Sequence, residues 1–153
     1  HRSADVLDQR PMKVTILAIG RLKESYWQEA EREYVRRLRP YCQLEVAECK
    51  DEAGLATAAK KGGRLILLDE RGAQPTSHEF ANTCLVPDPS KTPQPVVFAI
   101  GGADGHSPAM RQSAEQLIAF GRATMAHRLV RIVLLEQIYR GFRILRGEPY
   151  HRD

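Results

Sequence analysis

Cysteine is scarce in this 153-residue chain: Cys42, Cys49 and Cys84 are an odd number with no close pair. Such spacing fits neither a disulfide framework nor a zinc site. The histidines are scattered, with no H-x-x-x-H, and no C-x-x-C occurs, so no metal is expected. Long apolar runs are missing too. The longest candidate, Leu129 to Leu135, is interrupted by Arg131 and falls short of the ~20 residues a membrane helix needs. Residues 1–11 carry charge and no apolar stretch, so they do not read as a signal peptide. A soluble, cytoplasmic protein with no membrane partner is the expectation. No G-x-x-x-x-G-K-[ST] phosphate loop occurs.

What is present is an ordinary globular composition, 42% apolar and 27% charged, with a formal net charge of +4. The charge is unevenly spread. From Gly121 onward there are seven arginines (122, 128, 131, 140, 143, 146 and 152), no lysine, and only Glu136, Glu148 and Asp153 against them. Arg32, Arg36, Arg37 and Arg39 form a second basic cluster. A guanidinium fork suits phosphate, which makes RNA a candidate partner. A solvated helix face would have the same composition.

Hydrophobic patterning starts at Met12, leaving residues 1–11 as an extension outside the fold and 12–153 as one domain. VTILAI (14–19) is apolar on both faces, as a strand buried in a parallel sheet should be. Tyr26, Trp27, Ala30, Tyr34 and Leu38 then recur at helical spacing, with Ser25 as cap and Pro40 as stop. Leu44 to Cys49 reads as a strand, Asp51 to Lys61 as an alanine-rich helix, and Leu65 to Asp69 as a third strand. Thr76 or Ser77 caps a short helix through Cys84, and Glu79 completes a capping box if Thr76 is the cap. The proline-rich stretch 87–95 must lie on the surface. VVFAI (96–100) is a fourth strand, followed by a helix from Ser107-Pro108 that includes Met110, Ala114, Leu117 and Ile118. Arg122 to Met125 is the candidate fifth strand, and Leu129 to Leu145 a long helix. Strands alternating with helices predict an α/β fold, a parallel sheet covered by helices on both faces.

In such sheets ligands lie beyond the carboxyl ends of the strands. Three strand ends are unusual: Leu67 to Gly72, Ile100 to Gly105, and Gly121 to His127. Gly101, Gly102 and Gly105 let a ligand approach backbone amides, or simply make a tight strand-to-helix turn. A dinucleotide fits poorly, since the glycines read G-G-x-x-G and no acidic residue follows ~20 positions later to hold a ribose. What remains is a pocket for a compact, nucleoside-like ligand. The tail Pro149-Tyr150-His151-Arg152-Asp153 sets an aromatic, an imidazole and a guanidinium side by side. These can stack on a base, move a proton and hold a phosphate or carbonyl, or can merely dock the chain end.

Taken in order, MKVTILAIGRLK (12–23), LLDERG (67–72), FAIGGADGHS (98–107) and LVRIVLLEQIYRGFRILRGEPYHRD (129–153) resemble the RlmH family of the SPOUT superfamily of methyltransferases. The most specific signal is the terminal P-Y-H-R with an acidic last residue, after E-Q-x-Y-R. The resemblance implies methyl transfer from S-adenosylmethionine to N3 of a pseudouridine in a stem-loop of 23S rRNA, on the assembled ribosome. It also implies a C-terminal trefoil knot and a homodimer. Carried over residue by residue, it assigns cofactor contacts to Leu68, Gly102, Gly121, Arg122, Ala123, Thr124, Met125 and Ala126. The tail then supplies catalytic candidates: Tyr150 for positioning or stacking, His151 for proton handling, Arg152 for charge stabilisation. One departure is Ala126, where the family commonly has proline. The rival expectations are a SPOUT-type methyltransferase acting on another RNA base, or a non-catalytic ribosome-associated factor that keeps the fold.

Overall fold

The computed structural model describes residues 12–152, so the extension expected at 1–11 and the terminal Asp153 lie outside the described residues. Five strands form one sheet: β1 (Met12–Ile19), β2 (Cys42–Cys49), β3 (Arg64–Ala73), β4 (Val96–Ile100) and β5 (Gln116–Ile118). Their order is β2-β1-β4-β3-β5, and every pairing is parallel. Four helices connect them, α1 (Ser25–Leu38), α2 (Glu52–Ala59), α3 (Ser77–Phe80) and α4 (Pro108–Ser113), and α5 (His127–Leu145) follows β5. A wide helical turn, Ala81–Leu85, continues α3.

Side-chain alternation divides the core into two layers. Val14, Ile16, Ile66, Phe98 and Ile100 face α1, α3 and α5, where Leu38, Phe80, Leu134, Leu135, Ile138 and Phe142 cover them. Leu17, Leu67, Val97 and Ala99 point to the opposite face, under Leu55 and Ala59 of α2 and Met110 of α4. The sheet is therefore covered on both sides, which is why its central strands read as unbroken apolar runs. Phe80 stacks on Phe98 with ring centroids 5.7 Å apart, a contact worth ~0.5–1.5 kcal/mol beyond the area it buries.

Two elements differ from the sequence reading. The helix begun at Pro108 ends at Ser113, and Leu117 and Ile118 belong to β5. The fifth strand is thus 116–118, and residues 122–125 form a loop with no strand pairing. With apolar residues 3 and 4 apart across 110–118, the helical period fits the side chains, but the β3 edge takes Leu117 and Ile118 into its ladder. The second difference is at α1, where Glu24 occupies the cap position with no side-chain hydrogen bond and Ser25 is already helical. The capping box of Thr76 and Glu79 forms as expected, with both reciprocal bonds present.

Candidate ligand cleft and C-terminal tail

Beyond the carboxyl ends of β3, β4 and β5 lies a cleft of about 490 Å³, inside the ~300–1,000 Å³ range of small-molecule sites. Each of its three walls has a local cause. The first is an irregularity in β3, whose pairing with β5 shifts register between Leu68 and Ala73, so that 69–72 leave the ladder and Asp69, Glu70 and Arg71 edge the cleft. Asp69 Oδ1 accepts from the Arg71 amide at 2.9 Å and fixes that excursion. Gly72 lets it return, because a Cβ there would overlap the backbone of Ile118.

The second wall is the turn after β4. Gly105 adopts φ +71° and its amide donates to Gly102 O at 3.0 Å. At Gly102 itself a Cβ would meet only Ile19, at an ordinary 3.5 Å, so the fold does not require glycine there. His106 closes the turn. It is 4% exposed, its Nε2 lies 3.2 Å from Ala99 O, and its Nδ1 is buried with no hydrogen-bond partner. Burial holds its pKa below the ordinary histidine value, despite the Ala99 carbonyl and the nearby Asp69 and Glu52. Arg111, on α4, donates to the His106 carbonyl and lies 3.7 Å from Asp69. That pair ties the second wall to the first.

The third wall is the loop leading into α5. Gly121, Ala123, Thr124, Met125 and Ala126 line the cleft, followed by His127 and Val130 of the helix. Of the eight residues singled out from the sequence for cofactor contact, Leu68, Gly102, Gly121, Ala123, Thr124, Met125 and Ala126 border this one cleft. Arg122 is exposed and does not line it. Ala126 has φ −59° and ψ 138°, within the range a proline ring imposes. His106, Asp69 and Arg111 were not singled out as cleft residues. Asp69 and His106 stood inside quoted segments, but Arg111 looks like any helical arginine in sequence.

The tail lies elsewhere. Tyr150, His151 and Arg152 do not line the cleft; Tyr150 and His151 fold back on the middle of α5. The Tyr150 hydroxyl donates to Glu136 Oε2 at 2.9 Å, and its ring sits edge-on to Tyr139 with centroids 4.9 Å apart. Arg140 lies over the Tyr150 ring at 4.7 Å, binds Glu136 at 2.7 Å and reaches His151 Nδ1 at 3.1 Å. The His78 ring meets His151 edge-on, centroids 4.9 Å apart. Burial and the bond to the Glu136 carboxylate push the Tyr150 hydroxyl up to about 12. Burial works to raise the Glu136 pKa, but the hydrogen bonds from Arg140 and Tyr150 outweigh it and hold the carboxyl below its ordinary value.

Much of the C-terminal arginine charge is used within the chain. Arg131 is 4% exposed and pairs with Glu31 at 2.7 Å and Glu48 at 3.0 Å. Arg143 donates to Pro149 O and to the Tyr139 hydroxyl, and Arg146 lies 4.4 Å over the Tyr41 ring. Arg36 and Arg37 share Glu33. Arg122 and Arg152 are exposed. Among the described residues, no helix is long and apolar enough to cross a membrane, and no group of three His, Cys, Asp or Glu is placed to hold a metal.

A five-stranded parallel sheet with a cleft beyond the carboxyl ends of its strands is the α/β arrangement in which ligands bind at strand ends. The profile of the family described as "Predicted SPOUT methyltransferase" matches residues 12–151. A solved structure, the TrmH/SpoU tRNA modifying enzyme of A. aeolicus, superposes with a TM-score of 0.50 at 15% identity, over 95% of this chain and 83% of that one. It shares the fold. Nearer in sequence are proteins named ribosomal RNA large subunit methyltransferase H. The one from Geobacter sp. (strain M21) is 43% identical over 93% of this chain and 100% of its own length. That from Anaeromyxobacter dehalogenans (strain 2CP-C) is 41% identical over 92% and 100%. The chain belongs to the ribosomal RNA large subunit methyltransferase H family, RlmH.

Proposed function

We propose that this chain transfers a methyl group from S-adenosylmethionine to N3 of a pseudouridine in 23S rRNA of the cytoplasmic ribosome. The observation that carries the reading is the meeting of three strand-end loops on one cleft of nucleoside-like size, in a chain of this family. The cleft fits such a ligand in chemistry as well as volume. Its glycine turn offers open backbone, and the buried Nδ1 of His106 is an acceptor without a partner at the cleft wall.

Leu68, Gly102, Gly121 and 123–126 would hold the methyl donor, mainly through backbone groups. When bound, S-adenosylmethionine supplies an electrophilic methyl on a sulfonium centre. The imide N3 of pseudouridine is a weak nucleophile until its proton leaves. The protein's task is to align N3 with that methyl and to stabilise the negative charge that develops on the base. The tail supplies groups for this, Arg152 as a charged fork and Tyr150 and His151 as fixed polar contacts.

The tail contacts α5 at residues 136–140, whereas the cleft ends at Val130. At 1.5 Å per residue these levels are roughly 9–15 Å apart along the helix. A cleft and a tail that act together are therefore best supplied by two copies of the chain, one presenting each. A homodimer, a single domain over 12–153 and a C-terminal trefoil knot all belong to this reading. Titration calorimetry with S-adenosylmethionine, together with mass-mapping of rRNA after incubation with unmethylated ribosomes, tests it. Micromolar binding and a single methylated pseudouridine are expected. Absence of binding would support the non-catalytic factor, and methylation of a different base would support another SPOUT activity.

A further inference from the structure

None of the cleft residues Leu68, Gly102, Gly121 and 123–126 has a charged side chain. They suit a nucleoside, but S-adenosylmethionine also ends in an α-amino acid, with one ammonium and one carboxylate. Of the Asp, Glu and Arg side chains that line the cleft, Glu70, Arg71 and Asp104 are exposed. Asp69 and Arg111 are held in, with side chains 7% and 21% exposed. Each is fixed by one atom. Asp69 Oδ1 accepts from the Arg71 amide at 2.9 Å, and among the described residues no donor reaches Oδ2. Arg111 Nη1 donates to the His106 carbonyl and lies 3.7 Å from Asp69 Oδ2, beyond hydrogen-bond range. Among the described residues its Nε and Nη2 meet no acceptor. A buried carboxylate oxygen and a guanidinium edge, each short of a partner, therefore stand side by side at the cleft wall.

We propose that Arg111 and Asp69 form the subsite for the amino-acid end of the methyl donor: the Nε–Nη2 edge of Arg111 takes its carboxylate, and Asp69 Oδ2 takes its ammonium. This rests on the reading of the cleft as the methyl-donor site. The signs decide the assignment. Ribose hydroxyls would satisfy Asp69 alone and leave the guanidinium edge unmatched. S-adenosylmethionine has a single anionic group, its carboxylate, and a planar fork of two N–H donors matches that group in shape and charge. The Arg71 amide and the His106 carbonyl fix the two side chains before any ligand arrives, so little ordering is lost on binding. The same pair gives the cleft selectivity, because a nucleoside without the amino acid leaves both charges unmatched.

Titration calorimetry of the intact protein with three ligands tests this: S-adenosylhomocysteine, its decarboxylated form, and 5′-methylthioadenosine, which lacks the amino acid. All three have a neutral sulfur, so the sulfonium charge does not enter. Arg111→Met keeps an apolar stem and removes the fork. It should weaken S-adenosylhomocysteine by about tenfold to a hundredfold, the scale of a hydrogen bond to a charged group. The decarboxylated form should stay within about twofold of its wild-type Kd. Arg111→Lys should lose less than Arg111→Met, and again only with the carboxylated ligand. Asp69→Asn retains an oxygen for the Arg71 amide and removes the charge. It should weaken both amine-bearing ligands and spare 5′-methylthioadenosine. Equal weakening of all three ligands by either Arg111 variant would show that Arg111 only ties the walls together, and overturns the inference. So does unchanged binding of S-adenosylhomocysteine by Arg111→Met. Wild-type protein that binds neither S-adenosylmethionine nor S-adenosylhomocysteine overturns the methyl-donor reading of the cleft instead.

Discussion

Arg131 on α5 and Glu31 on α1 form a nearly buried ion pair at 2.7 Å, in the layer where the two helices cross the sheet. The arginine also reaches Glu48 on β2, so one guanidinium joins three elements. From sequence this residue counted towards a basic, RNA-facing tail. The structure gives it a scaffolding role, because α5 must stay in register with α1 for its first turn to edge the cleft. Arg131→Ala should cost about 2–4 kcal/mol in urea unfolding. That is somewhat below the usual penalty for breaking a buried pair, because Glu31 and Glu48 are partly solvated once released. A cost under ~1 kcal/mol would show that the pair holds nothing.

Ala126, at the entry to α5, has a φ of −59°, already the value a pyrrolidine ring enforces. Ala126→Pro should therefore be accepted without rearrangement. It should stabilise the chain by roughly 0.4–1 kcal/mol through the unfolded state. Thermal unfolding and cofactor titration together check this, with Tm raised and Kd unchanged. A fall in Tm would mean that Ala126 has a conformation or a hydrogen bond that proline cannot share.

The sheet was legible because β1, β3 and β4 carry runs that are apolar on both faces, while β2, at the sheet edge, mixes apolar and polar residues. No local signal marked β5: its three residues are a strand only because β3 offers them a ladder edge. At the site, the glycine turn stood out because its residue types serve backbone geometry, whereas 121–126 were assigned only through the family resemblance and 122–125 were expected as a strand. Asp69, Arg111 and His106 were not recognised as one unit, because 42 positions separate Asp69 from Arg111 and only the parallel β3–β4 pairing brings them together. Arg122 stands apart from its neighbours. It lies within the loop that lines the cleft, but its side chain is exposed and outside the lining.

Gly102, which lines the cleft, and Gly72, which packs on the Ile118 backbone, should respond differently to added carbon. At Gly102 a Cβ meets only Ile19 at 3.5 Å, so Gly102→Val should fold with little loss and abolish S-adenosylmethionine binding by filling the cleft. At Gly72 a Cβ would run into the Ile118 backbone, so Gly72→Ala should cost on the order of 1–3 kcal/mol as overpacking does. Calorimetric binding and unfolding of both variants decide the point. Normal cofactor binding by Gly102→Val would place the ligand elsewhere.

The separation of tail and cleft along α5 makes a prediction that neither region makes alone. A chain cut after Tyr150 loses two described residues and Asp153 but keeps the Tyr150 packing against Tyr139, so its stability should change little. Its cleft is intact, and it should bind S-adenosylmethionine normally. Methyl transfer should nevertheless drop by roughly 10²-fold or more, the scale on which a lost electrostatic group acts. Arg152→Lys should recover only part of the activity in the full-length chain, since lysine lacks the planar fork. Gly102→Val fails for the opposite reason, with a good tail and a blocked cleft. If the two regions act across a dimer, coexpressing the truncated chain with the Gly102→Val chain should restore transfer, because mixed dimers pair one open cleft with one whole tail. If both act within a single chain, every subunit in the mixture is defective and nothing is restored. Activity of the purified mixed dimer at the background level of its parents, with cofactor bound at half occupancy, would falsify the two-copy site.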